Sequence, residues 1–478
     1  MTRAIIPALL MALLLSSAAR FEGKLQPCHI EDLDEQVLCG TWSVWENREA
    51  RTGRKIDLNV VVLPARSPDP IPDPLFFLAG GPGQAASGAA PLFARMFAEL
   101  RRDRDIVFVD QRGVGKSGVL ECKLPGSDDD PQGWLREMFP LDSVRTCAEE
   151  LSRKADLRQY TNVQAMDDFD DVRAWLGYER INIFGGSYGT RSAMVYLKRH
   201  PGRVRSLVLS RMVPIDYRAP LTYARSAQTS LDRILDDCAA EEACRAAFPN
   251  VRAELAEVLE RLDRAPGKAT VEHKGKKFEL SIPRTTFAAT LRSIQYEPGL
   301  YIRIPMLIHE AWKGNYAPMI REAILDSGPG DWMGVFLSVT CAEDVARIRP
   351  EDIKASGTEG TYLGDDRLRQ QRAACSVWPT AELPADFWEP AVSSVPVLAL
   401  SGWLDPVTPP EVAEEVLRGF PNHLHVVIRD GSHVRAGLND MQCEFDLITR
   451  FVTAGSPHGL DTSCVERMRR QPFVLKAD

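Results

Sequence analysis

Apolar positions along this chain follow two rhythms. Short runs occur at Leu58 to Leu63, Leu75 to Leu78, Ile106 to Val109, Ile181 to Phe184, Val204 to Leu209, Val395 to Leu400 and Leu424 to Ile428. Unbroken runs of this length predict strands buried on both faces, most of them parallel. Ahead of the run at Ile181, the stripe Val163, Met166, Phe169, Val172 and Leu176 has the spacing of one helix face. Thr161 and Gln164 supply a capping box at its start, and Gly177 stands where a helix stops. Strand, helix, strand in this order implies right-handed crossovers and a doubly wound α/β sheet.

From about Met212 to Pro384 the strand rhythm fails and helical patterns replace it, as at Val251 to Leu262 and Leu300 to Trp312. This segment, 212–384, reads as a helical cap inserted into a discontinuous core of 20–211 and 385–478. Ser67 to Pro74 and Pro125 to Gln132 are surface loops by their Pro, Asp and Gly content. No internal repeat is visible.

Ahead of the core, Arg3, the apolar run Ala4 to Leu15 and the small residues Ser16 to Ala19 form a secretory signal peptide over 1–19, with cleavage near Ala19. The run is shorter than the ~18 residues of a membrane span and contains Pro7. No membrane span is expected after the signal is removed, and the destination is the periplasm or the medium. The ten cysteines are an even set in a compartment that favours oxidation. Loop closure favours neighbours, giving the pairs Cys28 with Cys39, Cys122 with Cys147, Cys238 with Cys244, Cys341 with Cys375, and Cys443 with Cys464. A metal site is not expected, because no C-x2-C pair or Cys/His cluster has ligand spacing. The 478 residues carry 58 Lys and Arg against 66 Asp and Glu, a net charge of −8. No basic stripe interleaves with aromatics, so nucleic acid is excluded as a partner. Oligomeric state is left open.

The sharpest chemical signal is Gly185-Gly186-Ser187-Tyr188-Gly189, which fits G-x-S-x-G between a strand and a helix. That context marks a nucleophile elbow, a tight turn that lifts a serine hydroxyl above the sheet. Serine needs a base, and the base needs a carboxylate to orient it, both downstream in the order acid then histidine. His433 follows the last apolar run and Asp405 the one before it. His423 and His425 are rivals that fall before or within the strand, and Asp430 is a rival acid in the loop of the base. An oxyanion also needs donors. Candidates are the backbone N–H of Tyr188 and, in Gly80-Gly81-Pro82-Gly83, that of Gly81, with Gly83 or Gln84 as fallback since Pro82 has none.

With the elbow, the GGPG loop, Asp110-Gln111-Arg112-Gly113-Val114-Gly115-Lys116-Ser117, Asp405 and His433 in order, the chain resembles the α/β-hydrolase peptidases of the prolyl and tripeptidyl aminopeptidase family. Phe184 to Thr190, Gly402 to Pro409 and Cys375-Ser376-Val377-Trp378-Pro379 look closest to the tripeptidyl branch. Prolyl members have histidine where Ala79 stands. The resemblance implies an α/β-hydrolase fold with a cap, Ser187 as nucleophile, His433 as base, Asp405 as its orienter and Gly81 with Tyr188 as oxyanion donors. It implies no cofactor, and peptides with a free N-terminus as substrates. It also implies acidic cap residues for the α-amino group, for which Glu343 and Asp344 are the candidates. Asp110 and Arg112 read as structural. The expected activity is that of an exported serine exopeptidase releasing one residue or a short peptide. A carboxylesterase is the alternative on the same fold, and a non-enzymatic binding module is disfavoured because all three positions are filled. An epoxide hydrolase would place aspartate at Ser187.

Overall fold

The structure is a computed structural model and describes residues 20–325 and 330–477. The signal peptide, 1–19, lies outside the described residues. Nine strands form one sheet: β1 (Leu25–Cys28), β2 (Val37–Trp45), β3 (Lys55–Leu63), β4 (Leu75–Leu78), β5 (Ile106–Val109), β6 (Ile181–Gly186), β7 (Val204–Ser210), and, after the strands β8 (Gly267–His273) and β9 (Lys276–Ile282) of a separate hairpin, β10 (Val397–Gly402) and β11 (His423–Ile428). The spatial order is β1-β2-β3-β5-β4-β6-β7-β10-β11.

From β5 onward every pairing is parallel, while β1, β2 and β3 pair antiparallel and β3 joins β5 antiparallel. The run at Leu58 is the exception to a mostly parallel set and ends an antiparallel meander. β1 and β2 gave no apolar run because exposed and polar positions interrupt each of them. β5 and β10 are buried along their whole length. Helix Asn162–Leu176 starts at Thr161, whose hydroxyl accepts from the Gln164 amide, and ends at Gly177 in the left-handed region at φ 91°. It covers the sheet with Ala165, Met166, Phe169 and Val172, and Trp175 stacks on Trp42 of β2 at 5.4 Å.

Between β7 and β10 the described chain adds no strand to this sheet. It forms helices, among them Tyr223–Ala240, Val251–Arg264, Arg284–Ile294, Ile304–Trp312 and Met333–Glu343, and the hairpin β8–β9. The hairpin corrects the purely helical expectation. Its strands carry His, Lys and Glu on an exposed face, so they produce no apolar run. All five disulfides join cysteines in sequential order: Cys28–Cys39, Cys122–Cys147, Cys238–Cys244, Cys341–Cys375 and Cys443–Cys464.

Parallel register sets the site. Leu78 lies opposite Gly185, Gly186 opposite Ser210, Ser210 opposite Leu400 and Gly402 opposite Ile428. The loops that leave β4, β6, β10 and β11 therefore emerge together at the carboxyl edge of the sheet, where open α/β sheets bind ligands.

Candidate active site

Ser187 stands between β6 and helix Tyr188–Arg199 with φ 53° and ψ −124°, a left-handed conformation that a side chain rarely adopts. The neighbours explain how the turn is held. The Ser187 amide donates to Ser210 O at 2.9 Å, and Thr190 bonds Ser187 O through both its amide and its hydroxyl. A Cβ on Gly189 would lie 2.0 Å from Leu78 O, and one on Gly185 would lie 2.4 Å from Gly189 O. Only glycine lets strand, turn and helix approach this closely.

His433 Nε2 is 3.0 Å from Ser187 Oγ, and His433 Nδ1 is 2.8 Å from Asp405 Oδ2. With Nδ1–H donating to the carboxylate, Nε2 is left as an acceptor for the serine proton. Asp405 is itself fixed by the amides of Val407 (2.8 Å) and Thr408 (2.9 Å) and by the Thr408 hydroxyl (2.9 Å). Burial alone would raise its carboxyl, but the His433 charge and these hydrogen bonds outweigh burial and hold it at about 2. The group is thus an anion throughout the neutral range. Arg211 donates to His433 O at 3.0 Å and Val434 N to Tyr296 O at 2.7 Å, so the histidine loop is held from both sides. The Tyr296 ring meets the His433 ring edge-on at 5.1 Å.

The rivals lie elsewhere. His425 bonds Ser401 Oγ, His423 donates to Phe420 O, and Asp430 accepts from the Arg470 amide. The turn Gly80–Gly83 lies beside the elbow, a Cβ on Gly80 falling 3.2 Å from Ser187 Cβ. Among the described residues the Gly81 amide has no hydrogen-bond partner. The Tyr188 amide is the first of its helix and has no acceptor within that helix. Asp110 and Arg112 are wholly buried: Asp110 accepts from the Ser87 amide and hydroxyl and from Asn59, and Arg112 forks onto Asp168 at 2.6 and 2.8 Å.

Above Ser187 lies a cavity of about 980 Å³, walled by the Gly80–Ala85 turn and by Tyr217, Tyr223, Arg292, Tyr296 and Trp332 among others. Glu343 and Asp344 do not offer it two free charges, contrary to expectation. Glu343 is 0% exposed, accepts from the Asn162 amide at 2.8 Å and faces Arg191. Asp344 lines the cavity but takes Arg191 Nη2 at 2.8 Å. A buried guanidinium had to be paired, and these two carboxylates pair it. Sequence reasoning missed Glu297, which lines the same cavity and has no side-chain partner among the described residues. Burial raises its carboxyl above the usual range. Its only signal in the sequence was a lone acid before Pro298, indistinguishable from a solvated one. No cluster of three His, Cys, Asp or Glu side chains converges as a metal would need among the described residues.

A serine hydroxyl whose proton faces a carboxylate-oriented imidazole, beside unbonded amides, is equipped for nucleophilic attack on a carbonyl. Fold and site together define a serine hydrolase. A model of the alpha/beta hydrolase fold matches residues 73–247 and one of TAP-like proteins matches residues 361–464, and the chain has the α/β-hydrolase fold. Relatives include the serine protease Hip1 of Mycobacterium tuberculosis, 24% identical over 90% of this chain and 87% of that protein. A tripeptidyl aminopeptidase of Streptomyces lividans is 23% identical over 83% of this chain and 78% of its own. A proline iminopeptidase of Neisseria gonorrhoeae is 31% identical over 30% of this chain and 33% of its own.

Proposed function

We propose that this protein is an exported serine exopeptidase that releases a single residue or a short peptide from the free N-terminus of peptides through an acyl-enzyme. One observation carries the reading: the Ser187–His433–Asp405 chain of hydrogen bonds opens into a cavity whose wall carries the carboxylate of Glu297, which has no side-chain partner among the described residues. An exopeptidase needs an anion for the substrate ammonium, since a charge removed from water must be paired. Glu297 takes that part, Asp344 being engaged by Arg191. The names of the relatives, tripeptidyl aminopeptidase and proline iminopeptidase, point the same way. Export, to the periplasm or the medium, is supported by the leader 1–19 and the five disulfides.

In this reading Ser187 Oγ attacks the scissile carbonyl carbon while His433 Nε2 takes its proton, and the Gly81 and Tyr188 amides receive the oxyanion. Collapse breaks the C–N bond as His433 returns the proton to the leaving amine. Water, deprotonated by His433, then attacks the ester, and Ser187 leaves with the proton restored.

The test compares free-amine peptide amides, their N-acetylated forms and a short-chain ester. Acetylation is expected to cost about a hundredfold in kcat/KM, as loss of a buried charged partner does, and Glu297→Gln to erase most of that difference. Equal cleavage of acetylated peptides would exclude the exopeptidase mode. Ester turnover with no amide cleavage would leave a carboxylesterase.

A further inference from the structure

Arginines buried in this protein are paired with carboxylates: Arg101 with Glu35, Arg104 with Asp73, Arg112 with Asp168, Arg173 with Asp170, Arg191 with Asp344, and Arg435 with Glu444. Arg292 and Arg367 depart from this pattern, as does Arg211, whose guanidinium donates to His433 O. Arg292 and Arg367 are each half-buried, and each lines both the cavity above Ser187 and an adjoining one of about 720 Å³. Neither meets a carboxylate among the described residues. Arg292 lies 4.7 Å from the Tyr223 ring centroid and 5.2 Å from that of Tyr296, and donates to the Tyr296 hydroxyl at 2.9 Å. Arg367 lies 4.6 Å from the centroid of Phe139 and 5.6 Å from that of Phe336. The Nε of each is buried without an acceptor.

Ring faces attract a cation, but they do not satisfy the guanidinium fork of N–H donors. Asp366, the acid next to Arg367 in sequence, is engaged by Arg369. Burial holds Arg367 below the usual arginine range, and the charge of Arg292 adds to the effect. Two guanidinium groups thus share one stretch of cavity wall, repel each other and meet no anion among the described residues. Arg292 is separated from His433 by the single ring of Tyr296.

We propose that Arg292 and Arg367 together bind a carboxylate of the substrate, so that peptides bearing a carboxylate near the scissile bond are preferred over their neutral counterparts. The inference rests on the hydrolase reading of Ser187 and assigns a substrate class to it. Guanidinium forks suit a planar carboxylate, which would take two charge-assisted bonds and relieve the repulsion. The carboxylate has two sources in a short peptide: the C-terminal group of the leaving fragment, or an Asp or Glu side chain in the released segment.

The experiment measures kcat/KM on the full mature protein for matched free-amine peptides, C-terminal acid against amide and Glu against Gln at each released position, together with an uncharged ester. At least one pair is expected to favour the carboxylate by about tenfold or more, and the responding pair identifies its source. Arg292→Gln and Arg367→Gln should each shrink that preference by about tenfold, and Arg367→Lys, which keeps the charge but loses the fork, should shrink it less. Discrimination below about twofold in every pair, or a preference unchanged in both variants, would overturn the proposal. The hydrolase reading fails separately, if Ser187→Ala still turns over the neutral peptides and the ester. Should the variants not fold, competition in the unaltered protein decides: glutarate should inhibit about tenfold better than glutaramide, and equal inhibition overturns the proposal.

Discussion

The floor and the roof of the reaction cavity treat charge in opposite ways. In the floor, Asp405 is wholly buried yet takes bonds from His433, Val407 and Thr408, and in the core behind it Arg112 forks onto Asp168. These charges are neutralised by the protein itself. In the roof, Arg292 and Arg367 are met by Tyr223, Tyr296, Phe139 and Phe336, and among the described residues Glu297 is met by no cation. Charges satisfied within the fold stabilise and orient, whereas charges left open on a cavity wall are available to a ligand. The first kind positions one hydroxyl for attack, and the second kind selects which carbonyl reaches it.

The comparison can be broken in order of expected effect. Ser187→Ala should lower turnover by about 10⁴-fold or more with little change in stability, because the cavity is untouched. Residual turnover within tenfold of the starting protein would remove Ser187 from the chemistry. Asp405→Asn should cost about a thousandfold, since the amide favours the wrong imidazole tautomer; a loss in KM alone would show that Asp405 does not orient His433. In the paired floor, Asp168→Ala strands the Arg112 guanidinium and should cost about 3–5 kcal/mol in denaturant unfolding. In the open roof, Arg367→Gln should change stability by no more than about 1 kcal/mol, since only ring contacts are lost. If the two substitutions destabilise equally, the distinction between floor and roof is wrong.

A finer effect concerns Glu343, the second carboxylate on Arg191. Burial chiefly, opposed by Arg191, raises its carboxyl to about 7, against about 4.3 in an unfolded chain. The folded protein therefore keeps a proton that the unfolded chain has lost. The stability from this group is fully present below about pH 4, and it declines as pH rises towards 7 by at most about 1.4 kcal/mol per pH unit. Unfolding midpoints of Glu343→Gln should be flatter than those of the unaltered protein between pH 5 and 7. Parallel curves would mean that Arg191 keeps Glu343 ionised throughout.

Which parts could be read in advance follows from the range of the forces involved. Six of the seven apolar runs became parallel strands, and in all but the part-exposed edge strand β11 burial on both faces writes itself locally as an unbroken run. The exception, at Leu58, is an antiparallel strand, since direction depends on what pairs with it. The glycines around Ser187 were legible because a turn this tight tolerates no Cβ at Gly185 or Gly189. Asp405 and His433 were legible because chain order and strand ends locate them. β1, β2 and the hairpin β8–β9 were missed, as interrupted or solvated strands lack a strong local signal.

By itself, then, the sequence determined the doubly wound sheet, the elbow and the order of the residues around it, all products of local pattern and steric demand. Only the tertiary structure decided which charges are consumed and which stay open. Glu343 and Asp344 looked like free acids in sequence and are taken by Arg191 from a helix some 150 residues earlier. Glu297, Arg292 and Arg367 looked like ordinary surface charges and line the cavity with no ionic partner among the described residues. Pairing of charge acts through space over a few ångströms and depends on packing between distant segments, so no local pattern records it.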